Sequence, residues 1–540
     1  MAKQISDALT PISGDSTDAP LVRSIADLTA GDFMTMPVAL EKPARESRYP
    51  IPQKAYNALK ADAEESERGA LGAGQAGTDA SSNAIGSEVE NHSITEAPVH
   101  SEDGLPLATA PGPVSNAPVT MTSFNGMNAT GWVPPDCTMA TGPNHVLVSV
   151  NTGMACYTKT GAPVFNIPNL ATFLGAAVPA NAKIFDPKLI YDHYAGRFVL
   201  VIAATRTSPQ GSWFIVAASN TNNPTGSWTI YTLNAMTTVG TAAWADYPTV
   251  GFDSQAVYIS SNQFAFAAGG FQLSRIRILN KAQMYAGAAL GWTDYNSLTN
   301  NDGSVAFTIQ PCAHFHGGGN GVAYFVNSYW PSAAGSTKLT LWKLTNPITA
   351  PSLTRVAIAV NNFKIPPTAA QPGGSLTTGD IRLLNAVYQF SGGVQRVWTA
   401  HTVRVQWAGD ATPRSAVRWY EIDVNSNAVV QQQDFGAANL YYTYPVIQID
   451  SSRNAFMVFT TVGAGTFAQM RQTGRKVTDG ANLMQGSVLV KAGVSAHTSG
   501  RWGDYFGIAR DPSLTNEVWG FAEFASASGQ WGTWIVKMKF

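Results

Sequence analysis

The chain has 540 residues, of which 45% are hydrophobic and only 13% charged, with 49 Gly and 31 Pro. This composition disfavours a helical bundle or coiled coil and favours many short strands joined by turns. The net charge of −1 hides an asymmetry, because residues 1–110 carry 17 acidic and 8 basic side chains, net −9, and the rest of the chain is net +8.

Residues 1–116 have few aromatics and several polar tracts, which predicts an acidic, weakly structured or partly helical arm. The charged stretch Gln53–Arg68 is the one segment there with a helical pattern. Residues 117–540 carry dense alternating apolar segments broken by Gly, Asn, Pro and Ser, the period-2 signal of strands. A unit of a short segment, a turn and an apolar strand recurs there, with starts near 136, 186, 246, 311, 382, 443 and 504. The spacings of 50 to 71 residues exceed the minimum of about 40 for a four-stranded blade. The expected fold is therefore all-β: a seven-bladed β-propeller of four-stranded antiparallel blades. The ring is expected to close by pairing the segment around Val119–Phe124 with the C-terminal strand ending at Phe540.

The repeats carry Pro134-Pro135-Asp136 with Gly142-Pro-Asn-His-Val146, Tyr191-Asp192-His-Tyr-Ala-Gly-Arg197, Pro224-Thr-Gly-Ser-Trp228, Asp246-Tyr-Pro248, Tyr441-Tyr442-Thr-Tyr-Pro445 and Gly500-Arg-Trp-Gly-Asp-Tyr505. In these motifs the chain from about Ser123 to Phe540 resembles a family of bacterial, mostly secreted β-propeller proteins of largely unassigned function. The resemblance implies a propeller at the cell surface or outside the cell. It transfers no reaction. Met1–Asp7 lacks the apolar stretch of a secretory signal, and the chain has no apolar run of about 18 residues.

Asp136, Asp186, Asp246 and Asp504 fall at matching places at the heads of repeats. Such an arc of carboxylates suits three roles: capping turns by hydrogen bonds, holding a hard cation such as calcium, or acid and base chemistry. Cys312, His314 and His316 alternate along one strand face, as ligands for zinc or copper would, or as buried, hydrogen-bonded histidines would. His401 and His497 are further acid–base candidates near the rim. Trp244, Tyr247, Tyr442 and Trp502 suit stacking on sugar rings, and Arg382 and Arg501 suit anion contacts. The three cysteines do not form a disulfide framework. No nucleophile elbow, zinc-protease or nucleotide-binding motif occurs in a suitable context, and the basic residues are too sparse for a nucleic-acid surface.

The leading expectation is a non-enzymatic extracellular or cell-surface protein whose rim binds glycan or protein partners and self-assembles into a homo-oligomer. The alternative is a carbohydrate-active hydrolase or lyase that uses the Asp arc with His401 or His497.

Overall fold

The computed structural model describes residues 9–16, 18–34, 48–61, 113–237, 241–267, 269–315, 321–408 and 410–540, apart from the side chain of Ser528. Most of them lie in strands. The first antiparallel meander runs through Thr138–Thr141, His145–Val150, Gly153–Thr158 and Pro163–Ile167. The second uses Lys183–Asp192, Arg197–Thr207, Gln210–Ser219 and Ser227–Asn234. The third uses Ala243–Phe252, Ala256–Ala265, Phe271–Asn280 and Gly291–Tyr295, and the fourth Gln310–Phe315, Val322–Ser328, Ser336–Thr345 and Ser352–Phe363. Asn385–Ser391, Val394–Val405, Arg414–Asp423 and Ala428–Phe435 follow, then Tyr441–Ile449, Ala455–Gly463, Thr466–Arg475 and Val488–Lys491. The last meander joins Gly507–Arg510, Glu517–Ala525 and Trp531–Lys539 to Val119–Asn128 from the other end of the chain.

That closing pair is the one expected from sequence: Val119 faces Lys539 and Phe124 faces Ile535. Each repeat start inferred from sequence lies within three residues of the first residue of an inner strand. Successive inner strands adjoin one another around the whole set, and Gly507–Arg510 packs beside Thr138–Thr141. Parallel pairing of Cys312–Phe315 with Ala386–Gln389 fuses the third, fourth and fifth meanders into one hydrogen-bonded sheet.

A twisted four-stranded sheet has two faces, and both read as apolar here because sheets stack on either side. Leu147 and Met154 of the first meander pack with Leu200, Ile202 and Ile215 of the second. The opposite face of the second sheet, with Val199, Val201, Phe214 and Val216, packs with Val257 and Ile259 of the third. Each such side chain contributes about 1.5–3 kcal/mol by leaving water.

The described parts of the arm are more ordered than composition suggests. Ile12–Asp15 hydrogen-bonds to the outer edge of the third meander and Leu21–Ser24 to that of the second. Ser24 then caps a short 3-10 turn, its side chain accepting from the Ala26 amide while Asp27 accepts from its own. Two outer edges that would stand open are thus covered. Of the expected helix Gln53–Arg68, residues 53–61 are helical and 62–68 lie outside the described residues.

Candidate functional site

Five non-glycine residues at corresponding places in the meanders share one backbone conformation. Asp136, Asp186, Tyr247 and Thr308 have φ of 53° and Tyr444 has 54°. Three of them sit at register shifts, between Phe185 and Lys188, Asp246 and Thr249, and Thr443 and Val446. A left-handed residue in such a bulge costs about 1–3 kcal/mol and re-aims its side chain. Side chains of the first, third and fifth meanders help to hold the head of the next in place. Asn151 Oδ1 accepts from the Asp186 amide at 2.9 Å, Asn262 Oδ1 from the Thr308 amide at 2.9 Å, and Thr402 Oγ1 from the Tyr444 amide at 3.1 Å. The sequence alignment of the four aspartates is corrected here, since in the third repeat the residue matching Asp186 is Tyr247 and Asp246 precedes it.

Three of these heads, Asp186, Tyr247 and Tyr444, line a cleft together with Asp246, Asp380, Arg382, Arg501 and Asp504 among others. Its charges are ordered in pairs. Asp380 grips Arg382 through both carboxylate oxygens at 2.7 and 2.9 Å, and Asp504 holds Arg501 at 2.5 Å. The Arg382 guanidinium lies 4.5 Å from the ring centre of Tyr247 and 5.1 Å from that of Phe307. Asp136 accepts from Asn151 Nδ2 at 2.6 Å, and Asp186 accepts from the Tyr247 amide at 3.2 Å. Tyr247 in turn donates its hydroxyl to the Asp504 carbonyl at 3.1 Å.

Beneath this layer the Lys188 ammonium lies 2.9 Å from the centre of the Tyr505 ring. Burial lowers its pKa to about 7 against the opposing pull of Asp136, Asp186 and Asp504. Glu523 is fully buried and its Oε1 accepts from the Gly503 amide at 2.5 Å. Burial first, and the charges of Asp136 and Asp504 after it, push the Glu523 carboxyl well above the carboxylate range, against the Gly503 hydrogen bond and Arg501. Burial would lower the Arg501 guanidinium, but Asp504, Tyr444 and Asp136 together raise it. The arrangement places carboxylates and fixed guanidiniums around one cavity, which supplies hydrogen-bond acceptors and donors to a polar ligand.

Of the stacking and anion-binding residues expected from sequence, Tyr247, Arg382 and Arg501 line the cleft. Trp244, Tyr442 and Trp502 do not; all are fully buried. Trp244 packs on Phe185 and Phe264, Tyr442 on Phe435 and Phe459, and the Trp502 indole donates to Thr460 Oγ1. His401 also departs from expectation. Its side chain is fully buried away from the cleft, with Nδ1 donating to the Ile381 carbonyl at 2.8 Å and Nε2 accepting from the Tyr420 hydroxyl at 2.9 Å. His497 lies edge-on to Trp502, with Nδ1 3.2 Å from Ser499 Oγ, and is not among the cleft-lining residues.

Cys312 is fully buried with Tyr324 and Tyr388 in one core cluster, and His314 leans on the same two rings at 6.1 and 4.5 Å. His316 lies outside the described residues. Among the described residues no group of three or more His, Cys, Asp and Glu side chains is placed to hold a metal ion, the four aspartates included. Lys188 and Arg501 supply positive charge beside those carboxylates instead.

Sequence reasoning missed Tyr444, Asp380, Lys188 and Glu523. The signal for Tyr444 was present, since Thr443-Tyr444-Pro445 repeats the pattern of Asp246-Tyr247-Pro248.

No family model matches the chain, and no curated protein matches it. Among solved structures it is similar to a protein of unknown function from Dyadobacter fermentans, at 10% identity and TM-score 0.38 over 67% of this chain and 96% of that one. It is similar to Trypanosoma rangeli sialidase in complex with sialic acid at 11% identity and TM-score 0.36, over 66% of this chain and 54% of that one. A third is the exo-β-1,3-galactanase of Phanerochaete chrysosporium with galactose, at 11% identity and TM-score 0.31 over 78% of this chain and 99% of that one. Likeness at this level carries no argument about reaction or substrate, and the secreted propeller family remains a resemblance. No helix among the described residues is long and apolar enough to cross a membrane.

Proposed function

We propose that the meanders are the seven blades of one propeller and that the cleft among their heads is the active centre of a carbohydrate-active hydrolase or lyase. The observation that carries this reading is the convergence of Asp186 and Asp246 with Arg382, Arg501, Tyr247 and Tyr444 on one cavity, three of them, Asp186, Tyr247 and Tyr444, at left-handed backbone positions. Asp186 and Asp246 are the acid–base pair in this reading. Asp380 and Asp504 position the guanidiniums of Arg382 and Arg501, which bind substrate oxygens, while the buried Tyr247 and Tyr444 form part of the cleft wall. His401 and His497 have no part in it.

The test is reducing-sugar release from a panel of neutral and acidic polysaccharides by the parent protein and by Asp246→Asn and Asp186→Asn. Cleavage of one polymer, lowered at least about 100-fold by either substitution with an unchanged unfolding midpoint, is the expected result. Cleavage indifferent to both substitutions refutes the assignment. A second reading, glycan binding without cleavage, is supported by the hydrogen bonds that already hold Asp136, Asp186, Asp380 and Asp504. Retention of a polymer that is never cut would select it.

A further inference from the structure

Residues 48–61 come from the arm yet lie at the cleft. Arg48 and Tyr49 are among its lining residues. Tyr49 stacks on Tyr56 with ring centres 3.5 Å apart, and both lean on Trp330 at 5.6 and 6.2 Å. Trp330 meets Phe307 edge-on at 5.6 Å, and Phe307 carries the Arg382 guanidinium, so an aromatic path runs from the arm to a cleft arginine. Tyr56 is buried and donates to the Gly379 carbonyl at 3.5 Å, while Lys60 Nζ donates to the Pro366 carbonyl at 2.5 Å and to Thr378 Oγ1 at 3.3 Å. Tyr56, Leu59 and Lys60 share one face of the helix by their i, i+3 and i+4 spacing, and Leu59 and Ile51 pack on the same core cluster as Tyr56. Pro52 starts the helix where a missing amide costs nothing, its carbonyl accepting from the Tyr56 amide at 3.1 Å.

The charge of this segment is opposite to that of its surroundings in sequence. Residues 1–110 are net −9, but 48–61 contain Arg48, Lys54 and Lys60 and no acidic residue, net +3. The cleft at which it lies is lined by Asp186, Asp246, Asp380 and Asp504 against Arg382 and Arg501, an excess of two negative charges. An acidic segment would be repelled from that mouth, whereas this basic one is drawn to it.

We propose that residues 48–61 are a built-in cap that narrows the cleft mouth, so that substrate reaches Asp186 and Asp246 freely only when the cap lifts. The consequence for turnover rests on the reading of the cleft as an active centre; the cap itself does not. Its anchors, Tyr56 and Lys60, lie outside the proposed catalytic set.

The experiment uses the full chain with Leu384→Cys, which places a thiol on the cleft wall, since Leu384 lines it and the three native cysteines are buried. The rate of labelling by a small methanethiosulfonate is compared with and without Tyr56→Ala plus Lys60→Ala. Labelling at least about 10-fold faster in the loosened cap, and faster in the capped protein as salt weakens the charge attraction, is the expected result. Hydrogen exchange of the unsubstituted thiol-free wall, on peptides covering 377–384, gives a second measurement: faster exchange with Tyr56→Ala plus Lys60→Ala alone supports the cap. Equal labelling rates, or exchange unchanged at 377–384, overturn it. A cap that behaves as expected over a cleft that cleaves nothing refutes only the enzymatic reading.

Discussion

Two buried histidines add to the acid sensitivity of this protein. Burial, with Arg418 adding to it and the bond to Ile381 opposing it, lowers the His401 pKa to about 3. Its ring is satisfied only as the neutral Nδ1–H tautomer, because a carbonyl takes that proton and the Tyr420 hydroxyl donates to the other nitrogen. Burial also lowers His314 to about 4, with Lys281 adding to it and Asp253 opposing; the ring faces Tyr324 and Tyr388. A group with a depressed folded pKa stabilises the fold fully above its unfolded value, and that stability is lost as pH falls toward the folded value. The unfolded chain takes up each proton near pH 6.5, the folded chain only near pH 3 and pH 4. At about pH 4.5 each histidine therefore contributes a loss of about 2.5 kcal/mol relative to neutral pH, about 5 kcal/mol for the pair. The assay is guanidinium unfolding followed by tryptophan fluorescence at about pH 7 and about pH 4.5, for the parent and for His401→Gln plus His314→Leu. The double variant should lose about 5 kcal/mol less than the parent between the two conditions. Equal losses in parent and variant would refute the reasoning, because other titrating groups are common to both.

Three further outcomes are expected. Gly126→Val should lower the guanidinium midpoint by the equivalent of about 1–3 kcal/mol, since a Cβ there meets Thr533 Oγ1 at 2.6 Å and the Phe521 ring at 2.7 Å in the pair that joins the chain ends; an unchanged midpoint would show that the closing strand carries little of the stability. Lys188→Met should be near neutral or stabilising at neutral pH, because burial outweighs the pull of Asp136, Asp186 and Asp504 and holds the lysine pKa down to about 7; a loss of about 3 kcal/mol or more would mean that the ammonium is needed beside those carboxylates. Cys137, Cys156 and Cys312 are buried, and burial pushes the Cys156 thiol up to about 12, so Ellman's reagent should find no fast-reacting thiol in the native protein and three after unfolding.

The inner-strand positions were legible in the sequence to within three residues because each follows a turn and opens an apolar alternation, and both signals are local. The pairing of Val119–Asn128 with Trp531–Lys539 was legible because a ring of blades is expected to close between the segment ahead of its first repeat and its C-terminal strand. The arm was less legible. Ile12–Asp15 and Leu21–Ser24 are too short to announce themselves, and they become strands because outer edges 200 or more residues away offer unpaired backbone groups.

By itself, then, the sequence determined the repeat and the all-β character, both of which follow from residue pattern over a few positions. Only the tertiary structure decided which side chains share the cleft. A bulge shifts the alternation by one residue and exchanges the faces, so periodicity could not say that Tyr247, and not Asp246, takes the place held by Asp186 in the preceding repeat. Asp380, Tyr444 and Asp504 meet Asp186 and the arm's Tyr49 across hundreds of residues, and that meeting depends on how the sheets adjoin in space, which no local pattern encodes.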